Sequence, residues 1–186
     1  MKYPTGRKKR PIKQNRSNLG MTLESDLDVT NNYYLNNNIA VIHKKPTPIQ
    51  VVNVNYPARN KAKITEAYYK TPSTTDYNGI YKGKYLDFDA KETSAKTSFP
   101  LRNIHEHQVE HLRMVKKHGG ISFIIVHWKY HDKYFLLPTQ IILKYWDNKK
   151  GRKSIPYSDF VSYGYEITFS YHPRLDYLKI IDKVYF

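Results

Sequence analysis

Apolar residues recur at helical spacing near both ends of the sequence. Thr22 is a favourable N-cap, and Leu23 and Leu27 begin a pattern that ends near the asparagines 36–38. The final segment, 174–186, carries Leu and Ile at the same spacing. The pattern predicts an amphipathic helix at each end of the folded region.

Strand-like patterns occupy much of the region between these helices. The run 39–45 is apolar until it enters a basic turn, and 121–128 (ISFIIVHW) is the most apolar run in the chain. A continuous apolar run bounded by turn residues is typical of a buried strand. We therefore expect a buried strand at 39–45 and a central strand at 121–128, with 134–138 as its neighbour.

A further helix is predicted before this central strand. Asn103 is a suitable N-cap with Glu106 three residues later, a capping-box spacing, and the glycine pair 119–120 ends the pattern. Two short helices are predicted at 139–146 and 157–163. The resulting order of helices and strands predicts an α/β domain with a mixed sheet.

The segment 46–70 contains two ribbons of alternating apolar and polar residues, joined at 57–60. The pattern leaves two interpretations open: a projecting β-hairpin, or two ordinary strands of the main sheet. Basic residues cover and flank the segment, and they are candidate phosphate contacts: Lys44, Lys45, Arg59, Lys61, Lys63 and Lys70.

The net charge of the chain indicates its class of binding partner. The 186 residues include 31 Lys and Arg against 16 Asp and Glu, a net charge of +15. Such a charge attracts polyanions, so nucleic acid is the leading candidate partner and an anionic membrane surface the second. No apolar run approaches the roughly 20 residues that a spanning helix needs, and we expect no signal peptide.

The predicted domain organisation follows from composition. Residues 1–20 are rich in Lys and Arg, and we expect a flexible basic arm that either contacts DNA or improves solubility. Residues 21–186 have the length of a single domain. The chain has no cysteine, which excludes disulfides and favours a reducing compartment.

The acidic residues of the stretch 74–93 carry the candidate chemistry. Asp76, twelve residues and then Asp89-Ala90-Lys91 match the pattern D-x(n)-(D/E)-x-K. Carboxylates from adjacent strands can hold a divalent ion, and alternation returns Lys91 to the face of Asp89, where it can orient water or stabilise transition-state charge. The same spacing also fits a solvated sheet face that carries a Lys–Asp pair.

Four segments together resemble the RecU family of Holliday junction resolvases: IAVIHKKPTPIQVVNVNYP, EAYYKTPSTTDYNGIYKGKYLDFDAKET, KTSFPLRNIHEHQVEHL and PRLDYLKIIDKVYF. The resemblance extends from Gly20 over almost the whole chain. It implies a restriction-endonuclease-like nuclease fold, a mixed β-sheet flanked by helices with a projecting stalk at 46–70. It also implies a homodimer that cuts four-way junction DNA by symmetric paired nicks, with Mg²⁺ as cofactor and Mn²⁺ as a substitute.

The resemblance also assigns residues. It makes Thr74, Asp76, Asp89 and Gln108 the magnesium site, and it makes Lys91 the stabiliser of the transition state. Asp76, Asp89 and Lys91 are then the catalytic residues. The family usually carries glutamate where this chain has Asp89, one methylene shorter, so we expect activity with a shifted metal position and an altered preference between Mn²⁺ and Mg²⁺.

The remaining expectations concern partners. The stalk lysines and Arg59 would contact phosphates, and Tyr68 or Tyr69 would stack on junction bases. We expect a bacterial, cytoplasmic, nucleoid-associated protein, with a recombinase or branch-migration protein as a further partner. The alternatives are a DNA-binding accessory protein without catalysis and a sequence-specific restriction enzyme.

Overall fold

The structure is a computed structural model that describes residues 22–70, 74–148 and 151–186; the predicted basic arm, 1–20, lies outside these ranges. The helices are α1 (Leu23–Asn36), α2 (Glu106–Lys117), α3 (Thr139–Asp147), α4 (Tyr157–Tyr163) and α5 (Leu178–Tyr185). The strands are β1 (Val41–Lys44), β2 (Ile49–Asn55), β3 (Lys63–Tyr69), β4 (Tyr77–Tyr81), β5 (Lys84–Thr93), β6 (Ser98–Pro100), β7 (Ile121–Trp128), β8 (Lys133–Pro138), β9 (Ser154–Pro156) and β10 (Tyr165–Ile167).

Six strands form the main sheet in the order β1-β4-β5-β7-β8-β10. β5 and β7 pair in parallel, and α2 lies in the connection between them, while the other neighbours are antiparallel. The β4–β5 turn consists of Lys82 and Gly83, whose φ angles are 47° and 73°. Two successive positive φ angles match the right-handed twist of a tight hairpin.

Helices cover both faces of this sheet. One buried cluster joins α1 and α5 to one face, and a second joins α2, α3 and α4 to the other. On the first face the rings of Tyr77, Phe88 and Phe123 stack in series, with centroids 4.9 and 4.8 Å apart. The stack aligns β4, β5 and β7. The predicted mixed sheet flanked by helices is confirmed.

β2 and β3 stand apart from the main sheet. They pair antiparallel with each other as a separate two-stranded sheet, and every residue of both strands is exposed. Of the two interpretations that the sequence left open, the structure supports the hairpin outside the main sheet. No helix in the described ranges has the length and apolar character needed to cross a membrane.

Three local predictions were wrong. α2 is capped by His105 and not by Asn103, because residues 101–103 form a 3₁₀ turn first. β1 is an edge strand in which only Ile42 is buried, not a buried strand. The C-terminal helix begins at Leu178, four residues later than the amphipathic pattern suggested.

Candidate active site

The candidate site lies where β4 begins, where β5 crosses the centre of the sheet and where α2 begins. β5 carries Asp89 and Lys91 on the face that α2 covers. Asp76 immediately precedes β4, and Gln108 lies in the first turn of α2. The structure therefore brings together four predicted residues that are up to 32 positions apart in the sequence (108 − 76 = 32).

Direct contacts connect the side chains of Asp89, Lys91 and Gln108, and Asp76 contacts the backbone of the same strand. Lys91 Nζ lies 2.7 Å from Asp89 Oδ2, and Gln108 Nε2 donates to Asp89 Oδ1 at 3.2 Å. The backbone N–H of Ala90 donates to Asp76 Oδ2 at 3.3 Å. Asp76 is therefore held against the strand that carries Asp89.

The electrostatics of Asp89 are unfavourable without a cation. Burial, and then the adjoining carboxyl of Asp76, raise the pKa of Asp89 to about 8, although Lys91 acts in the opposite direction. The carboxyl is completely inaccessible to solvent. A buried carboxylate beside a second acid is stabilised in its charged form by a nearby positive charge. The site is thus arranged to gain stability from a bound cation.

The donor set fits a hard divalent ion. Asp76 and Asp89 offer carboxylate oxygens, and the buried Oδ2 of Asp89 has the Lys91 ammonium 2.7 Å away. In those ranges no group of three or more His, Cys, Asp or Glu residues could hold a metal. A metal held here would therefore need neutral oxygen ligands or water besides two carboxylates, as Mg²⁺ accepts.

The two predicted neutral ligands differ in the hydrogen bonds that their oxygen atoms already make. Thr74 is partly buried just before Asp76, with its hydroxyl 3.5 Å from the Thr75 carbonyl. Gln108 presents its amide nitrogen to Asp89, while its Oε1 accepts from His105 N–H at 3.1 Å and so caps α2. The amide oxygen would have to leave this cap to ligate a metal.

The predicted DNA contacts fall into two groups. Most lie on the hairpin, where the described side chains are exposed: Lys61, Lys63, Tyr68, Tyr69 and Lys70, with Arg59 in the 3₁₀ turn at the tip. Lys44 and Lys45 already have acidic partners. Lys44 Nζ pairs with Glu24 at 2.6 Å, and Lys45 Nζ with Asp87 at 2.9 Å. The DNA roles of both groups remain predictions.

Sequence reasoning gave Asp87 no role. Strand alternation puts Asp87 on the same face of β5 as Asp89. However, Asp87 is completely buried and bonded to Lys45, Thr75, Tyr85 and His111. Lys45 and His111 approach from outside the strand, so no local pattern marks them.

The fold and the site together define a class of protein. A mixed sheet flanked by helices, whose central strand carries Asp-x-Lys beside a second aspartate just before the neighbouring strand, agrees with the nuclease fold that the resemblance to the RecU family implied. A family model described as Recombination protein U matches residues 18–183. The chain belongs to this family, RecU.

Curated relatives agree with this assignment. Proteins named Holliday junction resolvase RecU from Bacillus thuringiensis (strain Al Hakam), Bacillus cereus (strain AH820) and Bacillus anthracis (strain A0248) are each 51% identical to this chain over 197 aligned positions. The alignments cover 100% of this chain and 98% of each relative.

The solved structures include a more distant similarity. It is to Archaeoglobus fulgidus Hjc, described as a Holliday junction resolvase from an archaeal hyperthermophile. The identity is 13% and the TM-score 0.37, over 56% of this chain and 78% of that chain.

Proposed function

We propose that this protein is a Holliday junction resolvase, an endonuclease that cuts four-way DNA junctions by symmetric paired nicks in homologous recombination and DNA repair. The observation that supports this most is the cluster of Asp89 and Lys91 on the central strand β5, with Asp76 held against that strand, in a RecU-family chain. The 51% identity to curated RecU resolvases over the whole chain supports the same substrate.

The cofactor in this proposal is Mg²⁺, with Mn²⁺ as a substitute. Asp76 and Asp89 would hold it, with Thr74 and Gln108 as neutral ligands. When bound, the ion supplies charge neutralisation at the scissile phosphate and lowers the pKa of a bound water. Lys91 stays beside Asp89 and stabilises the negative charge that develops on the phosphate.

In this proposal, the hairpin and the positive charge of the whole chain bind the DNA. In this proposal the hairpin at 46–70 is a stalk that enters the junction, where lysines and Arg59 contact phosphates and Tyr68 or Tyr69 stack on bases. The basic arm, 1–20, adds further phosphate contacts. The folded part, 21–186, is then a single nuclease domain.

The assembly follows from the symmetry of the substrate. Cutting two opposed strands of a two-fold junction requires two sites, so we propose a homodimer. The protein would work in the bacterial cytoplasm at the nucleoid, beside a recombinase or branch-migration protein.

The test is cleavage of a labelled mobile four-way junction against linear duplex of the same sequence, with Mg²⁺, Mn²⁺ or EDTA. We expect paired symmetric nicks on the junction alone, lost in EDTA and in Asp89→Asn. The variant should bind the junction as tightly as the wild type, since binding depends on phosphate contacts. Binding without cleavage by the wild type under either metal would instead indicate an accessory DNA-binding protein.

A further inference from the structure

Asp87 is a second buried acid next to the candidate metal site. It lies on the same face of β5 as Asp89, two residues away, and none of its surface is accessible to solvent. A buried charge requires compensating partners. The nature of these partners distinguishes Asp87 from Asp89.

Four donors surround Asp87, from four separate parts of the fold. Oδ2 accepts from Lys45 Nζ at 2.9 Å and from Tyr85 OH at 2.8 Å, and it lies 3.0 Å from His111 Nε2. Oδ1 accepts from the hydroxyl of Thr75. These partners lie just after β1, on β5 itself, on α2 and just before β4.

This arrangement leaves Asp87 little capacity to bind a metal. An ionised carboxylate offers about four lone-pair sites; three side chains contact Oδ2 of Asp87 and one contacts Oδ1. Asp89 has fewer donors within the described ranges: Lys91 Nζ lies 2.7 Å from its Oδ2, and Gln108 Nε2 donates to its Oδ1 at 3.2 Å. Of the two acids that alternation places on this face, Asp87 is committed to protein contacts.

Those contacts converge on the segment that carries the predicted ligands Thr74 and Asp76. Thr75, which lies between them, is 3% exposed and hydrogen-bonds to Asp87. Lys45 holds the segment by two routes. Its Nζ donates to Thr75 Oγ1 at 3.0 Å, and its backbone N–H donates to the Asp76 carbonyl at 2.7 Å.

We propose that Asp87, Lys45 and Thr75 form a positioning cluster that holds Thr74 and Asp76 in place to bind the divalent metal. This inference rests on the proposed function, which assigns these two residues to the metal. Lys45, predicted as a DNA contact, becomes a positioning residue. In this role all three residues act through Thr74 and Asp76.

The expected effect has a known scale. Removing a group that orients a metal ligand without touching the metal lowers metal affinity or activity by about 10–100-fold. Loss of the Thr75 hydroxyl frees the segment from Asp87 while leaving Asp76 and Asp89 unchanged. Metal affinity should therefore fall, while junction binding in EDTA should not change.

The test measures Mn²⁺ binding to the full chain without DNA, by electron paramagnetic resonance titration. Thr75→Val removes the hydroxyl at nearly constant shape, and Thr75→Ser restores it. We expect about 10–100-fold weaker Mn²⁺ binding in Thr75→Val, with recovery in Thr75→Ser.

A matched control separates positioning from stability. Thr30 is also a fully buried threonine, whose hydroxyl donates to Asp26 O at 2.8 Å and accepts from Leu175 N at 3.1 Å, on the opposite face of the sheet. Thr30→Val should lower the unfolding temperature and leave Mn²⁺ affinity unchanged. Equal losses of Mn²⁺ affinity in Thr30→Val and Thr75→Val would mean that stability alone is being measured, and would overturn the proposal.

Lys45→Met provides a second variant, because the Lys45 side chain is only 20% exposed and its removal leaves Asp87 three other donors. A positioning role predicts weaker Mn²⁺ binding with unchanged junction affinity in EDTA. The reverse result would make Lys45 a phosphate contact and overturn the inference.

The two proposals fail in different ways. A wild type that binds Mn²⁺ and cuts junctions, with folded Thr75→Val and Lys45→Met variants of unchanged Mn²⁺ affinity, overturns the positioning cluster alone. A wild type that neither binds Mn²⁺ nor cuts the junction overturns the proposed function, and the positioning inference with it.

Discussion

At the scale of single residues, Asp89 is a carboxyl buried beside a second acid, an arrangement that disfavours its charged form. Asp89 is completely buried, and Lys91 lies 2.7 Å from its carboxylate. Lys91 compensates the charge only in part, because the pKa of Asp89 is still raised to about 8. Functional sites are where such strongly shifted pKa values concentrate.

This shift predicts how stability depends on pH without metal. The pKa of Asp89 rises from 3.8 to about 8 on folding, so between these values the folded state holds a proton that the unfolded state has lost. The contribution of Asp89 to stability is present below pH 3.8 and disappears as pH rises toward about 8. Asp89→Asn should reduce the fall in unfolding temperature across this window, measured by thermal unfolding in EDTA.

Asp147→Asn is a suitable control for that experiment. Asp147 is an exposed acid paired with Arg113 at 2.7 Å, and exposed pairs contribute little to stability. Its replacement should leave the pH dependence as in the wild type. Identical pH profiles for Asp89→Asn and the wild type would contradict the raised pKa.

The shorter carboxylate at position 89 carries a second prediction. Mg²⁺ demands near-ideal octahedral geometry. A side chain one methylene shorter than glutamate should therefore lower the cleavage rate with Mg²⁺ more than the rate with Mn²⁺. Asp89→Glu should keep junction cleavage and lower the ratio of the Mn²⁺ rate to the Mg²⁺ rate. Single-turnover cleavage with each metal measures this ratio, and an unchanged or higher ratio would contradict the argument.

At the scale of elements, Gly79 determines how closely β1 approaches β4. A Cβ at this position would lie 2.1 Å from the Val41 carbonyl oxygen and 2.6 Å from Ile42 Cα. Gly79→Ala must push the edge strand away, and overpacking of this kind costs about 1–3 kcal/mol. Denaturant unfolding should show this loss. Gly151→Ala, whose nearest contact would be 3.6 Å away, should not show it.

The hairpin of β2 and β3 presents aromatic rings to solvent. Tyr69 is 84% exposed and lies at the end of β3, and Tyr171 is 83% exposed but lies outside the hairpin. Stacking on an unpaired base contributes about 1–3 kcal/mol. Tyr69→Ala should therefore weaken junction binding by about tenfold, while Tyr171→Ala should not. Equal effects in a binding titration in EDTA would argue against a specific role of the hairpin.

At the scale of the whole molecule, the charge of +15 dominates encounters with DNA. Each neutralised phosphate releases counterions, so a protein with 6–10 phosphate contacts loses about 10³–10⁵ in affinity between about 50 and 200 mM salt. We expect junction affinity to fall at least about a thousandfold over this range. Asp89→Asn should show the same slope in fluorescence anisotropy, because the site does not supply these contacts.

By itself the sequence determined most of the elements and which face of β5 carries the acids. Helical periodicity, continuous apolar runs and turn residues are local signals, and they predicted α1, β7 and α4 closely. They did not predict the three-residue strands β6, β9 and β10, because three residues are too few to show an alternating pattern. The family resemblance then indicated Asp76, Asp89 and Lys91 as a site.

Only the tertiary structure decided which aspartate on that face has fewer protein partners among the described residues. Alternation places Asp87 and Asp89 identically, but Lys45 and His111 reach Asp87 from 42 and 24 residues away. Such distant hydrogen bonds depend on how β1 and α2 pack around β5, and no local pattern encodes that packing. The packing assigns one acid to protein contacts and leaves the other buried beside Asp76, where a cation would stabilise both.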